Sequence, residues 1–129
     1  MAKSIDLEVI TLTVPASGYL SAAVATGGKH VVGVIAPTGS SAFAATTASI
    51  LFHVSVDDTT YNILRDQDGT VEYATVAANN TYGTMWLEPS KHACYNSVKV
   101  GLYAADKTTA VTQGASNKTI KLVLASVTG

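Results

Sequence analysis

The sequence predicts an all-β fold: a β-sandwich of the jelly-roll type with about eight or nine short antiparallel strands. Three observations lead to this prediction. Apolar residues recur with a period of two, the alternating segments are short, and residues typical of turns separate them. With 129 residues and no linker, the chain is expected to form a single domain over residues 1–129.

The first alternating segment, residues 5–14, changes phase in its middle. The apolar residues of its first half share one face, and those of its second half share the other: Ile5, Leu7 and Val9 against Ile10, Leu12 and Val14. Such a change predicts either a β-bulge or a strand that crosses from one sheet to the other.

The remaining strands are predicted to follow with turns between them, over residues 19–25, 30–36, 49–56, 60–65, 70–77, 81–87, 97–104 and 119–127. The strongest turn signal is the Asp-Gln-Asp-Gly run at 66–69, because Asp-Gly tolerates the positive φ of a tight hairpin. Two longer polar connections, 38–48 and 105–118, are predicted loops. Long ordered loops often carry contacts, so both are candidate contact surfaces.

Charge and cysteine content exclude several classes of function. Charged residues make up 13% of the chain, about half of the usual fraction, and the net charge is −1, so we expect no nucleic-acid binding. Cys94 is the only cysteine, which rules out an intrachain disulfide and favours assembly in a reducing cytoplasm. No apolar run approaches the ~20 residues of a membrane helix. The low charge suggests that another chain covers part of the surface.

No set of residues predicts catalysis, a metal site or a cofactor, so we expect a protein that is not an enzyme. The aspartates at 66–69, with Asp57 and Asp58, offer oxygen ligands for calcium, but the twelfth-position glutamate of an EF-hand is missing and a polar turn is favoured. The three histidines, His30, His53 and His92, lack ligand spacing.

Two further groups have a chemical and a structural interpretation. His92 and Cys94 would point the same way on a strand, as a base and its nucleophile would, but no oxyanion-hole motif accompanies them. The aromatic residues Trp86, Tyr61, Tyr73, Tyr82 and Tyr95 would stack on sugars if exposed. We favour a core position for Trp86, with a carbohydrate-binding module as the alternative.

Several stretches resemble small structural proteins encoded near the capsid and tail genes of tailed phages. Residues 14–24 are similar to a P-x-G-x-x-L-S-x-A-V opening, and residues 27–37 to a V-G-I-x-x-P strand. Residues 51–61 match F-x-x-S-x-D-G-x-T-Y, and residues 66–69 and the strand at 118–124 follow. The chain departs from the pattern at Asp58, where glycine is usual, and in the loop 38–48, which lacks an expected aromatic residue such as Trp.

This resemblance implies a multimeric virion component with a β-sandwich or jelly-roll fold. We predict a capsid decoration (cement) protein that binds the outside of the phage head and stabilises the shell. Its expected partners are the major capsid protein and further copies of itself, as a homotrimer, with assembly in the host cytoplasm. A tail, baseplate or head-fibre protein is the close alternative. The candidate contact residues are Ile5, Leu7, Val9, Thr38, Ser40, Phe43 and Thr46.

Overall fold

Nine β-strands form within residues 4–37, 42–76, 84–87, 89–92 and 95–128, the part of the chain that the computed structural model describes. One turn of 3-10 helix, Pro89–His92, lies between the seventh and eighth strands. The all-β prediction is confirmed. The strands are β1 (Ser4–Val14), β2 (Val24–Ala25), β3 (His30–Ile35), β4 (Ser49–Ser55), β5 (Asn62–Ile63), β6 (Tyr73–Thr75), β7 (Thr84–Trp86), β8 (Ser97–Tyr103) and β9 (Lys118–Thr128).

The strands pair into two antiparallel sheets. The first has the order β1-β9-β3-β7, and the second has the order β2-β8-β4-β5, with β6 also paired to β4. The pairing is nested, since β1 joins β9, β2 joins β8, β3 joins β7, and β4 joins β5 and β6. Successive nested pairs alternate between the sheets. The predicted β-sandwich is confirmed, and the jelly-roll type stays a prediction.

A single apolar core fills the space between the sheets. Its side chains come from alternate positions of the long strands, as a period of two requires. Each is at most 1% exposed, and burial of a side chain of this size contributes about 1.5–3 kcal/mol. The central members are Leu12, Val14, Val31, Val34, Ile50, Phe52, Val98, Val100, Leu102, Ile120, Leu122 and Leu124.

The predicted bulge or sheet crossing within residues 5–14 is wrong. β1 pairs with β9 in one unbroken register, from Ser4 opposite Thr128 to Val14 opposite Lys118. The apolar pattern changes phase because residues 6–9 are exposed on both faces, whereas the alternation from residue 10 onward marks the core. A register shift does occur in the first sheet, but in β3, between Val31 and Gly33.

The predicted hairpin at residues 66–69 is confirmed. Arg65 and Val71 form a bridge across it, and the Asp66 carboxylate accepts hydrogen bonds from the amides of Asp68 (2.9 Å) and Thr70 (3.0 Å). Gly69 has a φ of +83°, a conformation that other residues adopt at a cost. The carboxylate of Asp66 therefore stabilises the turn. This agrees with the interpretation of the aspartates at 66–69 as turn residues rather than as calcium ligands.

Candidate interaction surface

Leu7 and Val9 form an exposed apolar pair on the outer face of the first sheet. They lie on the face of β1 opposite to the buried Leu12 and Val14, because successive side chains of a strand alternate. Leu7 is 62% exposed and Val9 is 53% exposed. Such exposure is unusual for large aliphatic side chains placed side by side on a regular strand. We call these two residues the β1 patch.

The β1 patch continues into its neighbouring strand, β9. Directly opposite Leu7 and Val9 on β9 are Ala125 and Val123, which are 9% and 5% exposed. Two positions further along β1, Thr11 and its partner Lys121 are exposed and polar. Buried apolar residues of β9 therefore lie beside the β1 patch, and polar residues border it further along the strands. An apolar centre with a polar rim is also the usual composition of a protein interface.

β1 also forms one edge of the first sheet as the structure describes it. It is the first strand in the order of its sheet, and on its other side no strand among the described residues pairs with it. Proteins usually block such an edge with a lysine, a proline, a bulge or a short strand. β1 has 11 residues in regular register and contains neither lysine nor proline. Its charges are Asp6 and Glu8, and Glu8 is 3.1 Å from the ammonium of Lys29.

The other predicted contact residues have mixed outcomes. Thr46 is exposed. Phe43 is only 5% exposed and belongs to the core cluster, so it anchors its loop from inside and we remove it from the contact surface. Ile5 pairs with Val127 through the backbone, and its side chain lies outside the described part. Thr38 and Ser40 also lie outside the described residues.

A buried glutamine connects the two long loops, and the sequence analysis did not find it. Gln113 is 2% exposed, and its side-chain oxygen accepts a hydrogen bond from the amide of Ala44 (2.8 Å). Its side-chain nitrogen donates to the hydroxyl of Thr47 (3.2 Å) and to the carbonyl of Val111 (3.0 Å). The described parts of the loops 38–48 and 105–118 are thus held to each other. A lone polar residue in a polar loop gives no local signal of such burial.

The segment that resembles the D-G-x-T-Y pattern forms a turn that packs on β8. The Asp57 carboxylate accepts hydrogen bonds from the amides of Thr59 and Thr60, both at 2.9 Å, and the Thr60 bond is the main reason that the pKa of Asp57 is lowered. Asp58 has a φ of +63°, and its carboxylate accepts a bond from the Ser97 hydroxyl at 2.8 Å. The position favours glycine on conformational grounds, which accounts for the glycine in the related pattern.

His53 is half-buried on the outer face of the second sheet rather than free in solvent. Its Nε2 is hydrogen-bonded to the hydroxyl of Tyr103 (2.9 Å), and the two rings stack with an interplanar angle of 16°. The pair covers Gly101, where an added Cβ would lie 2.8 Å from the Tyr103 ring. Burial, followed by the charge of Lys99, lowers the pKa of His53, so this ring is neutral at pH 7 and packs as an aromatic group.

His92 is fully buried at the end of the 3-10 turn, between the predicted strands 81–87 and 97–104. Its Nδ1 is hydrogen-bonded to the hydroxyl of Tyr95 at 2.7 Å, and its Nε2 has no hydrogen-bond partner among the residues that the structure describes. The ring packs edge-to-face on Phe52, with centroids 4.8 Å apart. Burial and the nearby Lys91 lower its pKa to about 4. Cys94, for which the sequence did not favour a role as nucleophile, lies outside the described residues.

The predicted aromatic platform does not form as one surface among the described side chains. Tyr95 is 4% exposed and Tyr61 is half-buried, while Tyr73 is 37% exposed. The side chain of Trp86 lies outside the described part, so its predicted core position stays a prediction, and Tyr82 lies outside as well.

Two other features, a metal-ligand cluster and a membrane-spanning helix, are absent from the described residues. There, no three His, Cys, Asp or Glu side chains converge as the ligands of a metal ion would. In the same residues no helix has the length and hydropathy that a membrane crossing requires.

Comparison with known proteins gives structural neighbours only. No protein-family model and no curated protein sequence matches the chain. The Drosophila NLP core, a structure described for pentamer formation and histone binding, has 8% identity and a TM-score of 0.42 and covers 95% of this chain and 99% of its own. The capsid structure of Helicobacter pylori bacteriophage KHP30 has 13% identity, a TM-score of 0.36 and 99% coverage of both chains.

A third neighbour is the VP2 subviral particle of infectious bursal disease virus, with 9% identity and a TM-score of 0.33. That match covers 95% of this chain and 32% of the viral one. Two of these three neighbours are thus viral or phage capsid proteins at low identity. With every TM-score below 0.5, the likenesses establish neither a shared family nor a shared function.

Proposed function

We propose that this protein is a virion structural protein, a decoration protein that binds the outside of a phage head as a homotrimer and stabilises the shell. The observation that carries the proposal is the β1 patch beside an open strand edge. Such an edge is a liability in a free monomer and becomes favourable when another chain covers it. The sequence resemblance to phage structural proteins supports the choice of partner.

The energetic logic of decoration follows from mass action. A protein that binds only the assembled shell stabilises that state by RT ln(1 + [L]/Kd), which is about 2.7 kcal/mol at a concentration of 100 Kd. The low charge of the chain, 13%, reduces the desolvation cost of close contacts between copies and with the shell. No catalytic step enters this account, and we propose a role in binding rather than in catalysis.

Binding to assembled particles tests the proposal directly. Purified protein is mixed with expanded heads that lack it, and occupancy is measured by sedimentation and quantitative mass spectrometry. We expect saturation at a fixed number of copies per shell, together with a higher temperature of DNA release. Binding without saturation, or binding to unassembled capsid subunits as tight as to shells, would contradict a decoration role.

The close alternative, a tail, baseplate or head-fibre protein, is separated by location. Heads and tails from disrupted virions are purified apart, and the protein is quantified in each. We expect it in the head fraction. Recovery in the tail fraction would support the alternative, and a monomer in analytical ultracentrifugation at micromolar concentration would remove the trimer.

A further inference from the structure

A depression of about 440 Å³ lies between the 66–69 hairpin and the loop that follows β8. Its volume is within the range of small-molecule sites, about 300–1,000 Å³. The lining includes one aromatic ring, Tyr73, two cations, Arg65 and Lys107, and one carboxylate, Asp106. It is separate from the β1 patch, since Tyr73 belongs to β6 of the second sheet and Leu7 to β1 of the first.

The cations of the depression are held in place by the fold. Lys107 has a φ of +61°, which is strained for a residue with a Cβ, and its ammonium lies 4.2 Å from the centroid of the Tyr73 ring. The Arg65 guanidinium donates one hydrogen bond to the carbonyl of Gly69 (2.9 Å), which leaves its other N–H groups for further partners. Strain of this kind concentrates at ligand-binding positions.

Asp106 is fixed and ionised. Its carboxylate accepts hydrogen bonds from the amides of Thr108 (2.9 Å) and Thr109 (2.8 Å) and from the Thr109 hydroxyl (2.6 Å). These bonds, the hydroxyl first, hold its pKa well below the usual range. With two cations against one carboxylate, the depression keeps a net positive charge, and Asp106 keeps one unused acceptor position, on Oδ2.

We propose that this depression binds a sugar ring that carries a carboxylate. The ring of Tyr73, 37% exposed, offers a face for the apolar C–H side of a sugar. Lys107 and Arg65 offer charge-assisted hydrogen bonds to the carboxylate, and Oδ2 of Asp106 offers one further acceptor position for a hydroxyl. Lys107 is half-buried and its ammonium also donates to the carbonyl of Ala105 at 3.2 Å, so a ligand that stacks on Tyr73 has to shift the ammonium from the ring face toward its own carboxylate.

The chain contains a matched control for the lysine–tyrosine contact. Lys99 lies 4.4 Å from the ring centroid of Tyr61, a geometry close to that of Lys107 over Tyr73. Tyr61 is half-buried, and its hydroxyl is hydrogen-bonded to Ser97 at 2.8 Å. Neither Lys99 nor Tyr61 lines the depression. A change at Lys99 therefore removes the same contact and the same charge without touching the proposed site.

The test is a titration of the ¹⁵N-labelled full chain with four probes: D-glucuronate, D-glucose, acetate and a short glutamate peptide. We expect glucuronate to shift the amide signals of Tyr73, Asp106 and Lys107 in a saturable way, with glucose and acetate each at least about tenfold weaker. Equal binding of acetate would reduce the site to a simple anion contact and overturn the proposal. Tighter binding of the peptide would make it a peptide site and overturn it too.

Variants locate the binding. Lys107→Asn keeps a residue that tolerates positive φ while removing the charge, and Arg65→Gln removes the second cation. We expect each to weaken glucuronate binding by about five- to tenfold, the loss typical of one exposed charge-assisted contact. Lys99→Gln is expected to bind as the wild type does. No saturable shift with the wild type, or an equal loss in Lys99→Gln, would overturn the assignment. None of these outcomes depends on whether the protein binds shells.

Discussion

Replacing both residues of the β1 patch, Leu7 and Val9, by threonine is expected to weaken docking while the fold persists. Leu7 and Val9 are 62% and 53% exposed, so more than half of each side chain remains to be buried by a partner. Complete burial of such a side chain contributes about 1.5–3 kcal/mol, so the exposed fractions together offer about 2 kcal/mol to docking. The double change Leu7→Thr/Val9→Thr is therefore expected to weaken shell binding roughly thirtyfold. Threonine favours strands, so β1 is expected to persist.

The assay is a binding isotherm on expanded heads, with thermal unfolding of the free protein measured alongside. Val56→Thr is the matched control, because Val56 is 69% exposed but lies in the turn after β4, away from the patch. The reasoning is refuted if the double variant saturates shells with unchanged affinity. It is equally refuted if Val56→Thr loses as much affinity as the double variant.

Three further changes test the packing that holds the loops and the core. Gln113→Leu removes one buried and two partly buried hydrogen bonds, and we expect a loss of about 3 kcal/mol and a Tm lower by roughly 10 °C in calorimetry. The pKa of His92 is lowered from 6.5 to about 4 in the folded chain, so the unfolded chain binds the proton more tightly. The free energy of unfolding therefore falls as the pH drops from 6.5 to 4, by up to about 3 kcal/mol. His92→Phe is expected to flatten this pH dependence in urea unfolding. Asp58→Ala loses the Ser97 bond at a positive φ and is expected to cost about 1–2 kcal/mol in urea unfolding, whereas Asp58→Gly stays within about 1 kcal/mol of wild type.

Each of these changes has its own control and its own contrary result. Thr46→Ala, an exposed change in the loop that Gln113 holds, is expected to leave Tm unaltered, and an equal drop would point to the loop instead of the glutamine. His53 serves as the control, because its pKa is lowered in the same direction. His53→Gln is expected to change the pH dependence of the free energy of unfolding less than His92→Phe does. Greater stability of Asp58→Ala than of Asp58→Gly would refute the conformational argument.

The sandwich was predictable because its core obeys a local rule. Alternate residues such as Ile50 and Phe52 are fully buried, and a period of two is visible within one strand. Leu51 breaks that rule, because it is also 0% exposed although it lies on the outer face, between Gly101 and Tyr73 of the neighbouring strands. No local pattern shows which outer face a distant segment will cover.

The candidate site was predictable only in part, for the same reason. Leu7 and Val9 were found as an alternating apolar set, but their exposure depends on where the sandwich ends, which is a property of the whole fold. Phe43 was included among the contact residues as part of the loop 38–48, yet a single large apolar side chain in such a loop gains most by entering the core. The depression beside Tyr73 joins segments more than thirty residues apart and has no signature in either one.

The nested pairing of the strands determines when the β1 patch can form during synthesis of the chain. β9 lies between β1 and β3, so the most C-terminal strand forms the middle of the first sheet. While the polypeptide is emerging from the ribosome, β1 has no neighbour to align with until residues 118–128 have been made. Leu7 and Val9 therefore become part of a paired strand only after residues 118–128 have been made.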